Sequence, residues 1–93
     1  MLRSFRNKDI EKIWGGKVSR KYPVEIQQRV LRKLFMMDKA QTLEDLRIPP
    51  ANRLESLTGE RTGQYSIRVN DQWRICFSWE DGEAGNVELV DYH

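Results

Sequence analysis

The stretch Gln64-Tyr65-Ser66-Ile67-Arg68-Val69-Asn70-Asp71-Gln72-Trp73-Arg74-Ile75-Cys76-Phe77-Ser78-Trp79 decides the fold. Tyr65, Ile67 and Val69 alternate with polar neighbours, and so do Trp73, Ile75, Phe77 and Trp79. A period of two is the signature of strands buried on one face. The turn falls at Asn70-Asp71, and side-chain faces decide its length. A two-residue loop would pair Val69 with Gln72 and Arg68 with Trp73, mixing apolar and polar residues on each face. A three-residue loop, Asn70-Asp71-Gln72, pairs Val69 with Trp73, Ile67 with Ile75 and Tyr65 with Phe77. All six then share one face, which must be the core. Such loops usually place one residue in the left-handed region, which Asn and Asp tolerate.

This register sets Arg68 directly across from Arg74 on the opposite face. Like charges facing each other cost a few tenths to about 1 kcal/mol. Two readings remain open. In one, Glu55, Glu88 or Asp91 neutralises the pair; in the other, two guanidiniums grip one phosphate through forked donors.

Further strands are expected on either side of the hairpin. Arg53 to Leu57 reads as a short strand before a Thr58-Gly59 turn. Glu80-Asp81-Gly82 and Gly85 read as a loop, with a last strand from Val87 to Tyr92. Upstream, Leu2 to Arg6 alternate as a short strand. Asn7 can cap a helix over Lys8–Trp14, with Asp9 and Glu11 in its first turn and Gly15-Gly16 stopping it. Pro23 suits the first position of a longer helix to about Lys39. Ile26, Val30, Leu31, Leu34 and Phe35 form its apolar stripe, with Arg29, Arg32 and Lys33 off it and Glu25 paired to Arg29. A further helical turn fits Leu43–Leu46 before Pro49-Pro50. The pattern predicts an α+β fold: two N-terminal helices packed on a small, twisted, mainly antiparallel sheet.

Ninety-three residues are expected to make one domain, with a core built on nine aromatic residues. The single cysteine, Cys76, cannot form an internal bridge, which fits a reducing compartment. No secretory pattern and no long apolar run are present, so a cytoplasmic protein with no membrane partner is expected. Residues 1–39 hold 11 Lys+Arg against 4 Asp+Glu, whereas residues 40–93 hold 5 against 10. That asymmetry fits a polyanion or acidic partner, and equally a solvated basic helix face. The lone histidine, His93, is the last residue, but the final strand pattern runs up to it through Asp91 and Tyr92. It would bring imidazole, phenol and carboxylate towards the arginines, where His can act as acid or base. One His and one Cys match no zinc pattern, the carboxylates lack calcium-loop spacing, and no Gly-rich phosphate loop occurs. No metal or cofactor is therefore expected. Ser66 and Ser78 lack a nucleophile elbow.

Taken in order, the pieces Leu2-Arg3-Ser4-Phe5, Ala40-Gln41-Thr42-Leu43-Glu44-Asp45, Arg53-Leu54-Glu55-Ser56-Leu57-Thr58-Gly59-Glu60-Arg61-Thr62-Gly63-Gln64-Tyr65-Ser66-Ile67, Val69-Asn70, Trp73-Arg74-Ile75 and Asp91-Tyr92-His93 resemble one known family. They resemble the HigB-type toxins of the RelE/ParE superfamily, the plasmid maintenance system killer family, over residues 1–93. The resemblance implies a RelE-like fold and a metal-independent, ribosome-dependent endoribonuclease that cuts mRNA codons in the ribosomal A site and so inhibits translation. The ribose 2′-OH would attack its own 3′ phosphate. It implies a HigA-like helix-turn-helix antitoxin as partner, with operator DNA bound only through the antitoxin complex. Asp91, Tyr92, His93 and Arg74 match the catalytic segment and the Trp-Arg-Ile arginine. Arg61, Arg68 and Arg53 would support RNA phosphate binding. Some relatives carry a catalytic histidine where this chain has Glu55, which would serve here as a base or as a charge partner. Two alternatives compete: a ParE-like toxin acting by protein contact on DNA gyrase, and a non-catalytic RNA-binding domain.

Overall fold

A computed structural model describes residues 1–92. Two α-helices, α1 (Lys8–Trp14) and α2 (Val24–Lys39), precede four strands, β1 (Glu55–Ser56), β2 (Gln64–Arg68), β3 (Trp73–Glu80) and β4 (Glu83–Asp91). The strands form one antiparallel sheet in the order β1-β2-β3-β4. Short 3-10 turns lie at Leu43–Arg47, Pro50–Asn52 and Gly59–Arg61. The fold is α+β, as the change of hydrophobic period requires.

The central hairpin has the register that side-chain faces demand: Tyr65 opposite Phe77, Ile67 opposite Ile75 and Arg68 opposite Arg74. Its turn works differently from expectation. None of its three residues takes a positive φ. Instead Asn70 Oδ1 accepts from the backbone N–H of Gln72 at 2.9 Å and of Trp73 at 2.7 Å, so the side chain closes the turn. The second hairpin differs from the loop expected at residues 80–85. Asp81 (φ 52°) and Gly82 (φ 77°) make a tight two-residue turn, so β4 starts at Glu83 rather than Val87. A shift of register between Cys76 and Ser78 accommodates an extra residue beside Phe77.

Residues 2–6 are not a full strand. Leu2 and Phe5 make single parallel bridges to Ala84 and Val87, which cover the free edge of β4. The expected strand at Arg53–Leu57 shrinks to Glu55–Ser56, because Arg53 takes a left-handed conformation (φ 45°, ψ 59°). Asn7 caps α1 through its side chain, which accepts from Ile10 N at 3.0 Å. Pro23 sits at the N-cap of α2 rather than inside its first turn. The sheet packs one face on the helices. Ile10, Ile13, Ile26, Val30, Leu34 and Met37 meet Ile67, Ile75, Phe77, Val87 and Leu89 in one core. Of the expected α2 stripe, Phe35 is exposed and stacks edge-on against Trp14. Lys33, expected off the stripe, is buried. Glu25 makes no ion pair with Arg29, whose Nη1 instead donates to Val69 O at 3.4 Å. Among the described residues no helix is long and apolar enough to cross a membrane.

Candidate RNA-phosphate site

The other face of the sheet carries the site. Arg74 leaves β3 on the side away from the core, yet only 8% of it is exposed. Burying a guanidinium needs compensating acceptors. Ser66, directly across from Cys76, supplies its hydroxyl to Arg74 Nε at 2.8 Å and its carbonyl to Nη2 at 3.4 Å. The left-handed bend at Arg53 aims a second carbonyl at the same Nη2. The ring of Tyr92 lies 5.9 Å from the guanidinium carbon, within cation–π range. Glu55 approaches only to 3.9 Å and is itself half exposed. Among the described residues Nη1 makes no hydrogen bond. Arg74 is thus fixed along one edge by neutral oxygens and presents its other edge to an open cleft.

That cleft has a volume of about 330 Å³ and is lined by Arg53, Arg68, Arg74 and Tyr92, with Glu55 and Asp71 among its remaining walls. Arg68 and Arg74 face each other across β2 and β3, as the register requires. The neutraliser of Arg68 is Asp71, a fully exposed turn residue, rather than Glu55, Glu88 or Asp91. Glu88 serves Arg61 instead: Arg61 Nη1 donates to Glu88 at 3.1 Å and to Gln64 Oε1 at 3.1 Å, and Arg6 lies 3.9 Å from the same carboxylate. The Glu88 carboxylate holds Arg61 more firmly charged than an ordinary arginine. Arg61 does not line the cleft.

The C-terminal residues divide between faces. Asp91 pairs with Trp73, so alternation places it on the helix side of the sheet, where it accepts from Gln72 Nε2 at 3.2 Å. Tyr92 returns to the arginine face and lines the cleft. Burial raises its phenol above the usual tyrosine range, so it stays protonated at neutral pH. His93 lies outside the described residues. Cys76 is buried, and burial lifts its thiol above the ordinary value, away from the thiolate form. No cluster of three or more metal-ligating side chains occurs among the described residues. Two contributors were not singled out from the sequence: Ser66 as the anchor of Arg74, and Arg53 through its carbonyl. The signal for Ser66 was available, since it sits one position along β2 from the Ile67–Ile75 pair, diagonal to Arg74.

A four-stranded antiparallel sheet with two helices packed on one face is the fold this chain shares with solved toxin structures. It matches the toxin–antitoxin complex YoeB–YefM of Staphylococcus aureus with a TM-score of 0.63 at 18% identity, covering 100% of this chain and 98% of that chain. It matches a mutant of YafQ from E. coli with a TM-score of 0.64 at 10% identity, covering 98% and 93% of the two chains. The family model for HigB-like toxins, described as the RelE-like toxin of the type II toxin–antitoxin system HigB, matches residues 3–93, and the chain belongs to that family. It is 44% identical over 90 residues to Toxin HigB-1 of Vibrio cholerae serotype O1, covering 96% of this chain and 95% of the relative. It is 30% identical to the Endoribonuclease HigB of Proteus vulgaris over the full length of both chains.

Proposed function

We propose that this toxin is a ribosome-dependent endoribonuclease that cleaves mRNA codons in the A site without a metal and thereby arrests translation. The observation that carries the reading is Arg74, locked by Ser66 and Arg53 along one edge and open to the cleft along the other. Binding a phosphate costs little reorganisation when the donor is already fixed in place, and that is the condition for strong electrostatic catalysis.

In this reading the scissile phosphate sits between Arg74 and Arg68, with Arg53 at the rim. The 2′-oxygen forms a bond to phosphorus while the bond to the 5′-oxygen breaks. One group takes the 2′-OH proton and another protonates the leaving oxygen. His93 supplies one of these transfers, Tyr92 orients the nucleotide through its ring, and Asp91 fixes the segment that carries both. Glu55 stands near Arg74 as its charge partner; Glu55→Gln tests whether it also acts as a base. Arg61 is a supporting contact. The partner is a HigA-like helix-turn-helix antitoxin, with operator DNA engaged only by the complex, and the setting is the cytoplasmic ribosome. The chain acts without a cofactor.

The test is purified protein with translating ribosomes. Cuts within codons, lost in Arg74→Ala and His93→Ala, are the expected result. Intact mRNA with inhibited gyrase supercoiling would replace this reading with a ParE-like one. Salt-dependent RNA affinity with intact mRNA and active gyrase would leave a non-catalytic RNA-binding domain.

A further inference from the structure

A second groove opens beside the site, between α2 and the end of β2. Its volume is about 320 Å³, and its charged lining is Arg29, Arg32, Lys33 and Arg68, with Met36 among the rest and no carboxylate. Arg68 lines both this groove and the arginine cleft, so the two adjoin at that residue.

Lys33 is the unusual member. Its side chain is buried, and its ammonium meets one neutral acceptor, Asn52 Oδ1, at 2.5 Å. Asn52 is itself buried and fixed, donating to Leu46 O at 3.1 Å. No ion pair is formed by Arg29, Arg32 or Lys33 among the described residues. Burial first, and then the neighbouring charges of Arg29 and Arg68, depress the lysine below its ordinary value. A purely structural lysine would gain from a carboxylate neighbour, and this groove supplies none. Its mixed lining, with apolar Met36 and Ala51 beside the cations, suits a nucleotide strand with phosphate on one side and sugar on the other.

We propose that this groove binds the backbone phosphates next along the RNA strand from the one held by Arg74. Arg68 is the residue that passes the strand from cleft to groove. The proposal rests on the nuclease reading for the identity of the strand, and the groove's own chemistry, recognition of phosphodiesters, is tested without cleavage.

The experiment measures binding of an uncleavable 2′-O-methyl octaribonucleotide and the matching dinucleotide by fluorescence anisotropy across a salt series. Each cation contacting single-stranded RNA contributes about 0.7 to the slope of log affinity against log salt. In Arg29→Gln/Arg32→Gln the octamer slope falls by about 1.4, which is about 20-fold in affinity near 0.1 M salt. The dinucleotide, too short to span both sites, binds as before. Arg29→Lys/Arg32→Lys restores the slope. Lys8→Gln/Lys12→Gln, the same charge change on α1, leaves it within a few tenths. The Arg32 side chain makes no hydrogen bond or ion pair among the described residues, so Arg32→Gln alone, with a slope change of about 0.7, serves if the double variant misfolds. Unchanged octamer binding in the groove variants overturns the proposal. So does equal loss for octamer and dinucleotide, which would be a general field effect. Unchanged octamer binding with lost sedimentation on ribosomes overturns it in favour of ribosomal RNA. If ribosomal mRNA is never cut while the octamer slope behaves as stated, the nuclease reading fails and the phosphate groove stands.

Discussion

Arg74→Lys separates a phosphate-gripping arginine from a structural one. The native guanidinium donates from Nε to Ser66 Oγ at 2.8 Å and from Nη2 to Arg53 O and Ser66 O, and still has Nη1 for the cleft. A lysine has a single nitrogen on a flexible stem. It can reach one of these acceptors or the cleft, but not both. Hydrogen bonds from charged donors contribute about 1.5–3 kcal/mol each, and of the two short ones, to Ser66 Oγ and to Arg53 O, the lysine keeps one and forfeits the other. That lowers the midpoint of thermal unfolding by roughly 6–24 °C for a chain of this size. Losing a preorganised donor to the transition state costs more, about 10²- to 10³-fold in rate. Cleavage is compared on ribosomes well below both unfolding midpoints, so that both proteins are folded. Ser66→Ala is the companion. It removes the Nε acceptor, costs about 1–3 kcal/mol of stability, and leaves charge and Nη1 in place, so its rate stays within about tenfold of wild type. If Arg74→Lys is destabilised as stated yet cleaves within about threefold of wild type, Arg74 is a structural cation and the reasoning is wrong.

Three more outcomes follow from the same geometry. Tyr92→Phe keeps its ring against Arg74 and cleaves within about threefold, whereas Tyr92→Ala loses about 10- to 100-fold with the stacking surface, both read by the same ribosome assay; equal effects of the two would assign the role to the hydroxyl. Asn7→Ala removes the Oδ1 acceptor at the start of α1 and costs about 1 kcal/mol in urea unfolding; no change would mean that the cap is redundant with tertiary packing. The folded state holds Lys33 below 10.5, so the unfolded chain binds that proton more tightly, and this residue adds stability as pH rises from the folded value towards 10.5. Free RNA absent, wild type should therefore gain stability relative to Lys33→Met across that alkaline window, and a flat difference would show that Lys33 is not electrostatically strained.

Much of this was written in the alternation of residues 64–79. Because side chains repeat every two residues, one choice of turn length fixed which face each of Tyr65 to Phe77 occupies and brought Arg68 opposite Arg74. The same logic, carried to β4, separates Asp91 from Tyr92, and the final tripeptide does not gather on one face. What stayed hidden was set by contacts between distant segments. The acceptors of Arg74 come from β2 and from a left-handed bend whose residue, an arginine, carries no sign of that conformation. Lys33 reads as a surface residue by helical period, and it is buried because Asn52, nineteen residues later, offers it an oxygen. Asp81-Gly82 carried a hairpin signal, but Gly85 nearby made the segment look like a longer loop.

The partners of the four arginines rank what each can give to a phosphate. A guanidinium already bridged to a carboxylate must break that bridge, or share it, before it can neutralise an anion. Arg61 is held by Glu88 at 3.1 Å in a partly covered position, beside Gln64, and stands outside the cleft. Arg68 is held by Asp71, but that carboxylate is wholly exposed, and exposed bridges contribute only about 0–1 kcal/mol. The exchange of Asp71 for phosphate is therefore nearly free. Arg53 is exposed at the rim, its carbonyl engaged but its side chain in neither an ion pair nor a hydrogen bond among the described residues. Arg74 differs from all three. It is buried, its acceptors are neutral, and its one carboxylate neighbour is distant at 3.9 Å. Neutral oxygens fix the geometry without cancelling the charge, so the attraction stays available to an incoming anion at the cleft. A sheet face that sets two arginines against each other, the outer one closely bridged to a surface carboxylate and the inner one only loosely approached by Glu55, is one that a phosphate would complete in the proposed reading.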